Sequence, residues 1–248
     1  EPIAAAYRIE QQLSEEKVAL VVDIGGGTTD VCNIRLGTQK QQDYDRQQDV
    51  LSVTGTRLGG MECDKNLILK SIAPSMGLGT ETTNGIPIPP LYYNDMVAVD
   101  DIPRLNSFFS DDTGLEIAQT MSIAKEPEKL EKLLTVQEEK LSARLVNSSR
   151  MAKEMLSSHD NITLPLRYVE DEFTLNITTE QLNNSMQSWL RRVIRLVKEC
   201  LEQSNEAPEL LFVTGGMSLS PLVQEELLKL LPGLELVTGD AFNSVSEG

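Results

Sequence analysis

An α/β fold is what this sequence predicts, and three stretches predict it. The first is strand, glycine turn and strand over 18–36, with a third strand behind it. The second is a long amphipathic helix from about 179 to 203. The third is a short apolar strand, LLFVT, that meets a pair of glycines and then a helix start. Strands in series give a meander, and strand–turn–helix units add helices to the sheet.

Glu1 to Gln12 reads as a helix, with Pro2 suited to its first turn and three alanines following. Leu13 to Lys17 is a polar connection. Val18 to Val22 is apolar and β-branched, as in a strand buried on both faces. Gly25, Gly26 and Gly27 follow, then Thr28, Thr29 and Asp30, and strand character resumes from Val31 to Leu36. Glycines can take positive φ and let a ligand approach the backbone, so their N–H groups can meet phosphate oxygens. Thr28 and Thr29 add hydroxyls. Asp23 and Asp30 would repel a bare phosphate, but suit Mg²⁺ held through water beside one, or the orienting of an attacking water. The alternative is a tight hairpin whose acids cap the turn. A P-loop or dinucleotide fingerprint fits worse, because the glycines lead into a strand and G-x-x-x-x-G-K-[ST] is missing.

After a polar loop over 38–48, Asp49 to Thr56 alternates as a third strand. Arg57-Leu58-Gly59-Gly60 leads into a helical run from Glu62 to Ile72. The stretch 73–109 is rich in Pro and Gly and carries Tyr92, Tyr93, Phe108 and Phe109, so it reads as an ordered loop or short helices. Pro127 to Ser158 is one long helix or two joined near 134–137, with Leu141, Leu145, Met151, Met155 and Leu156 as an apolar stripe. His159 caps its end. Asn161 to Leu166 and Phe173 to Ile177 are arms of a hairpin. TTEQ at 178–181 resembles a capping box, and Met186, Trp189, Val193, Val197 and Cys200 share the buried face of the helix that follows. After Leu210 to Thr214, Gly215-Gly216 and the Ser220-Pro221 helix start, a last strand covers Leu234 to Val237. Asp240 or Asn243 would cap a final helix. The strand–Gly-Gly–helix unit is a second place for phosphate or sugar to meet backbone donors, or simply a tight turn.

The 248 residues carry a net charge of −16, which argues against a nucleic-acid partner bound through a broad basic surface. Cys32, Cys63 and Cys200 show no metal or disulfide spacing, so a reducing cytoplasm is expected. No apolar run reaches membrane-spanning length, and no signal peptide is seen. The helical opening, EPIAAAYRIE, and the close, SVSEG, suggest a piece of a longer protein.

EPIAAAY, VVDIGGGTTDV, RLGGMECD and LLFVTGGMSLSPLVQ occur here in the order and spacing of the actin-like ATPases. They most resemble the DnaK-type nucleotide-binding domain of the heat shock protein 70 family. GLGTETTNGIPIPP resembles the shorter YegD-type chaperone-like members. The resemblance implies the second lobe of that ATPase domain. Residues 1–59 and 178–248 would form an RNase-H-like core with a mixed sheet, and 60–177 an inserted α+β subdomain. The first lobe of the parent chain, with its own phosphate hairpin, would lie upstream.

The implied ligand is ATP or ADP with Mg²⁺. Glu1 and Asp23 match acids near the Mg²⁺ and its waters, and with Thr28 they are the catalytic candidates. Gly25, Gly26, Gly27, Thr28 and Thr29 match the phosphate loop, which Asp30 closes, and Gly59 and Gly60 join them. Lys153, Ser157, Gly215, Gly216 and Asp240 match positions around the adenosine. Met61 stands where the family often has an acid, Glu154 and Leu219 where it has the two arginines around adenine, and Arg150 where it has a ribose-contacting acid. The resemblance therefore implies a weak chaperone ATPase in the parent, with protein clients or co-chaperones, and no turnover by these residues alone. The other readings are a degenerate nucleotide sensor or interaction module, and an actin-fold small-molecule kinase.

Overall fold

The structure, a computed structural model, describes residues 2–10, 13–37 and 46–238. Glu1, Asp240, Asn243 and most of the expected 38–48 loop lie outside them. The elements run α1 (Pro2–Glu10), β1 (Lys17–Ile24), β2 (Thr29–Leu36), β3 (Val50–Thr56), α2 (Gly60–Leu67), α3 (Pro90–Met96), α4 (Ile102–Phe108), α5 (Asp111–Ser122), α6 (Pro127–Glu138) and α7 (Ser142–Met155). They continue with β4 (Asn161–Pro165), β5 (Thr174–Thr178), α8 (Thr179–Gln203), β6 (Leu210–Thr214), α9 (Pro221–Leu230) and β7 (Glu235–Thr238). The chain divides into two compact units, Glu1–Glu62 with Gln187–Gly248, and Cys63–Met186.

The first unit is built on a mixed five-stranded sheet of order β3-β2-β1-β6-β7. β1, β2 and β3 pair antiparallel; β6 lies parallel to β1, and β7 parallel to β6. The order and directions give the mixed sheet that the resemblance implies. One face packs on α1, where Ala6 and Ile9 meet Ala19, Val21, Cys32, Ile34 and Phe212 in a buried cluster. The small alanine face lets the helix lie close to the sheet. The other face takes the second half of α8. Ser52 Oγ donates to the Cys200 carbonyl at 2.7 Å, and Thr54 Oγ1 to that of Leu196 at 3.2 Å. Cover on both faces explains why β1 is apolar almost throughout. At the rim, Arg46 bridges Glu10 and Asp49, each at 2.7 Å, and these ion pairs hold the guanidinium strongly protonated.

The second unit holds α3 to α7 and the β4–β5 hairpin. The 73–109 stretch resolves into short helices, and Tyr93 and Phe108 are buried. Two helices replace the 127–158 run. They break at 139–141, a few residues after the expected joint, and Lys140 takes φ 54° there. The expected stripe needs correction. Leu145 and Leu156 are buried, whereas Met151 and Met155 are about half exposed; Val146, Ser149 and Ala152 fill the inner face instead. His159 sits at the end of α7, its Nδ1 3.0 Å from the Met155 carbonyl. The capping box at the start of α8 is formed. Gln181 N–H donates to Thr178 Oγ1 at 3.2 Å, and Thr178 N–H to Gln181 Oε1 at 2.9 Å. α5 was not anticipated: only its Ile117 is buried, while Leu115 faces out, so its sequence lacks a clear apolar stripe.

Candidate functional site

The glycine turn is shaped by what lies beneath it. β1 and β2 stay in register to the last pairs, Asp23 with Asp30 and Ile24 with Thr29, leaving Gly25 to Thr28 as the turn. Gly25 N–H closes it on the Thr28 carbonyl at 2.9 Å. The start of α2 then grips the turn from one side. Gly60 N–H donates to the Gly25 carbonyl and Met61 N–H to the Gly26 carbonyl, both at 2.9 Å. Gly59 lies so close that a Cβ there would meet Gly27 N at 2.5 Å. Thr29 is fully buried, and its hydroxyl donates to the Leu58 carbonyl. That hydroxyl is used inside the protein, not on the open side of the turn.

These bonds fix the direction of the remaining donors. In a trans peptide the carbonyl of one residue and the N–H of the next point opposite ways. Pulling the Gly25 and Gly26 carbonyls onto α2 therefore aims the N–H groups of Gly26 and Gly27 away from it. Among the described residues no acceptor pairs with the N–H of Gly26, Gly27 or Thr28. A Cβ on Gly26 or Gly27 would meet nothing within 4 Å. None of the three glycines uses the positive φ open to it. Their lack of a side chain leaves open backbone rather than permitting a left-handed turn.

The left-handed glycine of the site is Gly215, with φ 84°. It ends β6 against the end of β1. A Cβ there would lie 2.6 Å from Ile24 C and 2.8 Å from Asp23 Oδ1. Gly216 faces open space. A second glycine makes room on the far side: Gly55 pairs with Asp30 across β2 and β3, and its Cβ would sit 2.5 Å from Asp30 Oδ1. Gly55, Asp30 and Asp23 thus form a row across three strands, with Thr214 of β6 beside Asp23. Directly paired residues put their side chains on one face, about 5 Å apart. Two half-buried carboxylates therefore stand side by side next to a turn with outward amides. This donor set suits a hydrated divalent cation and the phosphates it accompanies. Among the described residues no group of three or more His, Cys, Asp or Glu side chains could ligate a metal directly.

Sequence reasoning missed Gly55, although glycine inside a strand signals a close approach. It also missed Asp64. In the second unit Lys153 Nζ lies 2.7 Å from Asp64 Oδ1, both side chains nearly buried. Burial raises the Asp64 carboxyl above its ordinary value, and the neighbouring ammonium offsets only part of this. Ser149 Oγ donates to the Asp64 carbonyl at 2.8 Å. Ser157 Oγ turns back to the Lys153 carbonyl at 3.3 Å. Arg150 and Glu154 form an exposed pair at 3.4 Å, and Leu219 is 54% exposed. Asp23, Gly25 to Thr28, Asp30, Gly59, Gly60, Gly215 and Gly216 thus gather at one end of the five-stranded sheet, while Lys153 and Ser157 belong to the other unit.

A family model described as Hsp70 protein matches residues 117–239. The match runs from within α5 to just past β7 and includes Lys153, Ser157, Gly215 and Gly216.

Proposed function

With an Hsp70-like nucleotide-binding-domain region as the premise, we propose that this chain supplies one side of an Mg²⁺–ATP site in a chaperone ATPase. The supporting observation is the glycine turn, whose Gly26 and Gly27 amides face away from α2, with Thr28 N–H also unpaired among the described residues, beside the paired Asp23 and Asp30. The amides hold phosphate oxygens. Asp23 and Asp30 would hold a hydrated cation and orient the water that attacks the terminal phosphate. Mg²⁺ would supply neutralisation of charge on the phosphates. Glu1 joins Asp23 in this role by the family resemblance. Gly215 and Gly216 support the adenosine, and Lys153, Ser157 and Asp240 contact it by the same resemblance. In the parent protein hydrolysis is slow and is coupled to closure of the two ATPase lobes. The cytoplasm is its place, and co-chaperones or clients its partners.

A nucleotide sensor without useful hydrolysis is the second reading. It is favoured by Leu219, which is exposed and offers no cation, and by Glu154, whose carboxylate is taken up by Arg150. Loss of planar guanidinium stacking weakens hold on the base while leaving the phosphate side intact.

Calorimetric titration of the full parent with ATP, with and without Mg²⁺, tests the proposal. Magnesium-dependent binding that Asp23→Asn weakens about tenfold or more is expected from loss of a charge-assisted contact. Binding with no turnover selects the sensor. Absence of nucleotide binding removes both readings.

A further inference from the structure

Helix α8 carries a second stripe beside its buried one. Leu190, Arg191, Ile194, Arg195 and Lys198 line a groove of about 390 Å³, with Glu226 of α9 on its other wall. Leu190 is 3% exposed and Ile194 half-buried, so the floor is apolar. Three cations stand around it. Glu226 is drawn to Lys229 at 2.7 Å, and Arg195 reaches Glu199 only at 3.7 Å between exposed side chains. Among the described residues no carboxylate forms an ion pair with Arg191 or Lys198. The stretch RRVIRLVK places four of the chain's 22 basic residues in one short run, on a protein of net charge −16.

We propose that this groove binds an acidic segment of a partner protein that also carries an apolar side chain. From Arg191 to Lys198 the cations span roughly 10 Å along the helix, which suits an extended run of carboxylates rather than one small anion. Leu190 and Ile194 lie between them and take the apolar group. Salt screens charges beyond about 8–10 Å, so the cations govern the local field despite the acidic whole. A short segment brings few charges into that field. A second copy of this chain, of net charge −16, would also set its other acidic residues near those of the first. The inference stands on α8 and α9 alone and does not rest on the nucleotide reading.

The test uses the 248-residue chain and a short fluorescent peptide of glutamate and leucine, read by anisotropy. Saturable, salt-sensitive binding is expected. Arg191→Glu with Arg195→Glu should weaken it about tenfold or more, since like charges then face each other. Ile194→Asp should weaken it too. Arg192→Glu makes the charge change of one of these two reversals on an exposed side chain that does not line the groove, and should leave affinity within about twofold. Circular dichroism spectra of the variants should match the parent chain, because each replaced side chain is at least partly exposed. An equal loss in Arg192→Glu, equal affinity for a polyglutamate peptide without leucine, occupation of the groove by a second copy, or no saturable binding would each overturn the proposal.

Discussion

Replacing Gly215 by alanine should destabilise the five-stranded unit more than any other single methyl added at the site. Gly215 has φ 84°, a left-handed conformation that costs a residue with a Cβ roughly 1–2 kcal/mol. The new methyl would also press on backbone, lying 2.6 Å from Ile24 C, and on a carboxylate, 2.8 Å from Asp23 Oδ1. Backbone cannot swing aside as a flexible side chain can, so overpacking adds about 1–3 kcal/mol. The sum is roughly 2–5 kcal/mol, which at about 2–4 °C per kcal/mol lowers the melting temperature by roughly 4–20 °C. Gly216→Ala is the matched control. It adds the same methyl one residue along, where nothing lies within 4 Å and φ is not left-handed, so its cost should stay near 0.5–1 kcal/mol or less. Thermal unfolding followed by circular dichroism reads both. If Gly215→Ala melts with the unmodified chain, or Gly216→Ala falls as far, the packing of β6 against β1 described above is wrong.

Thr29→Val should cost about 1–2 kcal/mol, because the Leu58 carbonyl loses its buried donor; the nucleotide affinity of the parent protein should not change, and a change would return Thr29 to the ligand side. Thr178→Ala removes one arm of the capping box of α8 and should cost about 1 kcal/mol in urea unfolding. Lys153→Met strands a buried carboxyl and should cost roughly 3 kcal/mol at neutral pH. Asp64 gives a pH signature. Its folded value is raised above 3.8, so its favourable contribution is complete below that pH and is lost as pH rises through the folded value. The stability difference between the unmodified chain and Asp64→Asn should therefore shrink with rising pH over that window. A difference that grows with pH would mean that Lys153, not burial, dominates the carboxyl.

The strands, α8 with its cap, and the Gly-Gly-to-helix unit were legible because each is a local pattern. Apolar β-branched runs, TTEQ, and Ser220-Pro221 carry their reasons within a few residues. What was not legible depends on distant neighbours. The direction of the Gly26 and Gly27 amides is set by α2, more than thirty residues further along the chain. The need for glycine at 215 comes from Ile24 and Asp23, and that at 55 from Asp30. Asp64 could be read as one more helix acid until Lys153 was seen beside it. Met151 and Met155 look like core in a helical period but fall outside the buried face, where Ser149 and Ala152 allow closer packing.

The phosphate-loop assignment is tested most directly by the backbone amides themselves. Two-dimensional ¹⁵N NMR of the chain, titrated with ATP in the presence and absence of Mg²⁺, reads each one separately. The amides of Gly26, Gly27, Thr28 and Gly216 should move together, and only with Mg²⁺ present, while Gly233, in the α9–β7 connection, stays still. Shifts scattered over the surface, or identical shifts without Mg²⁺, would contradict a phosphate loop working beside Asp23 and Asp30.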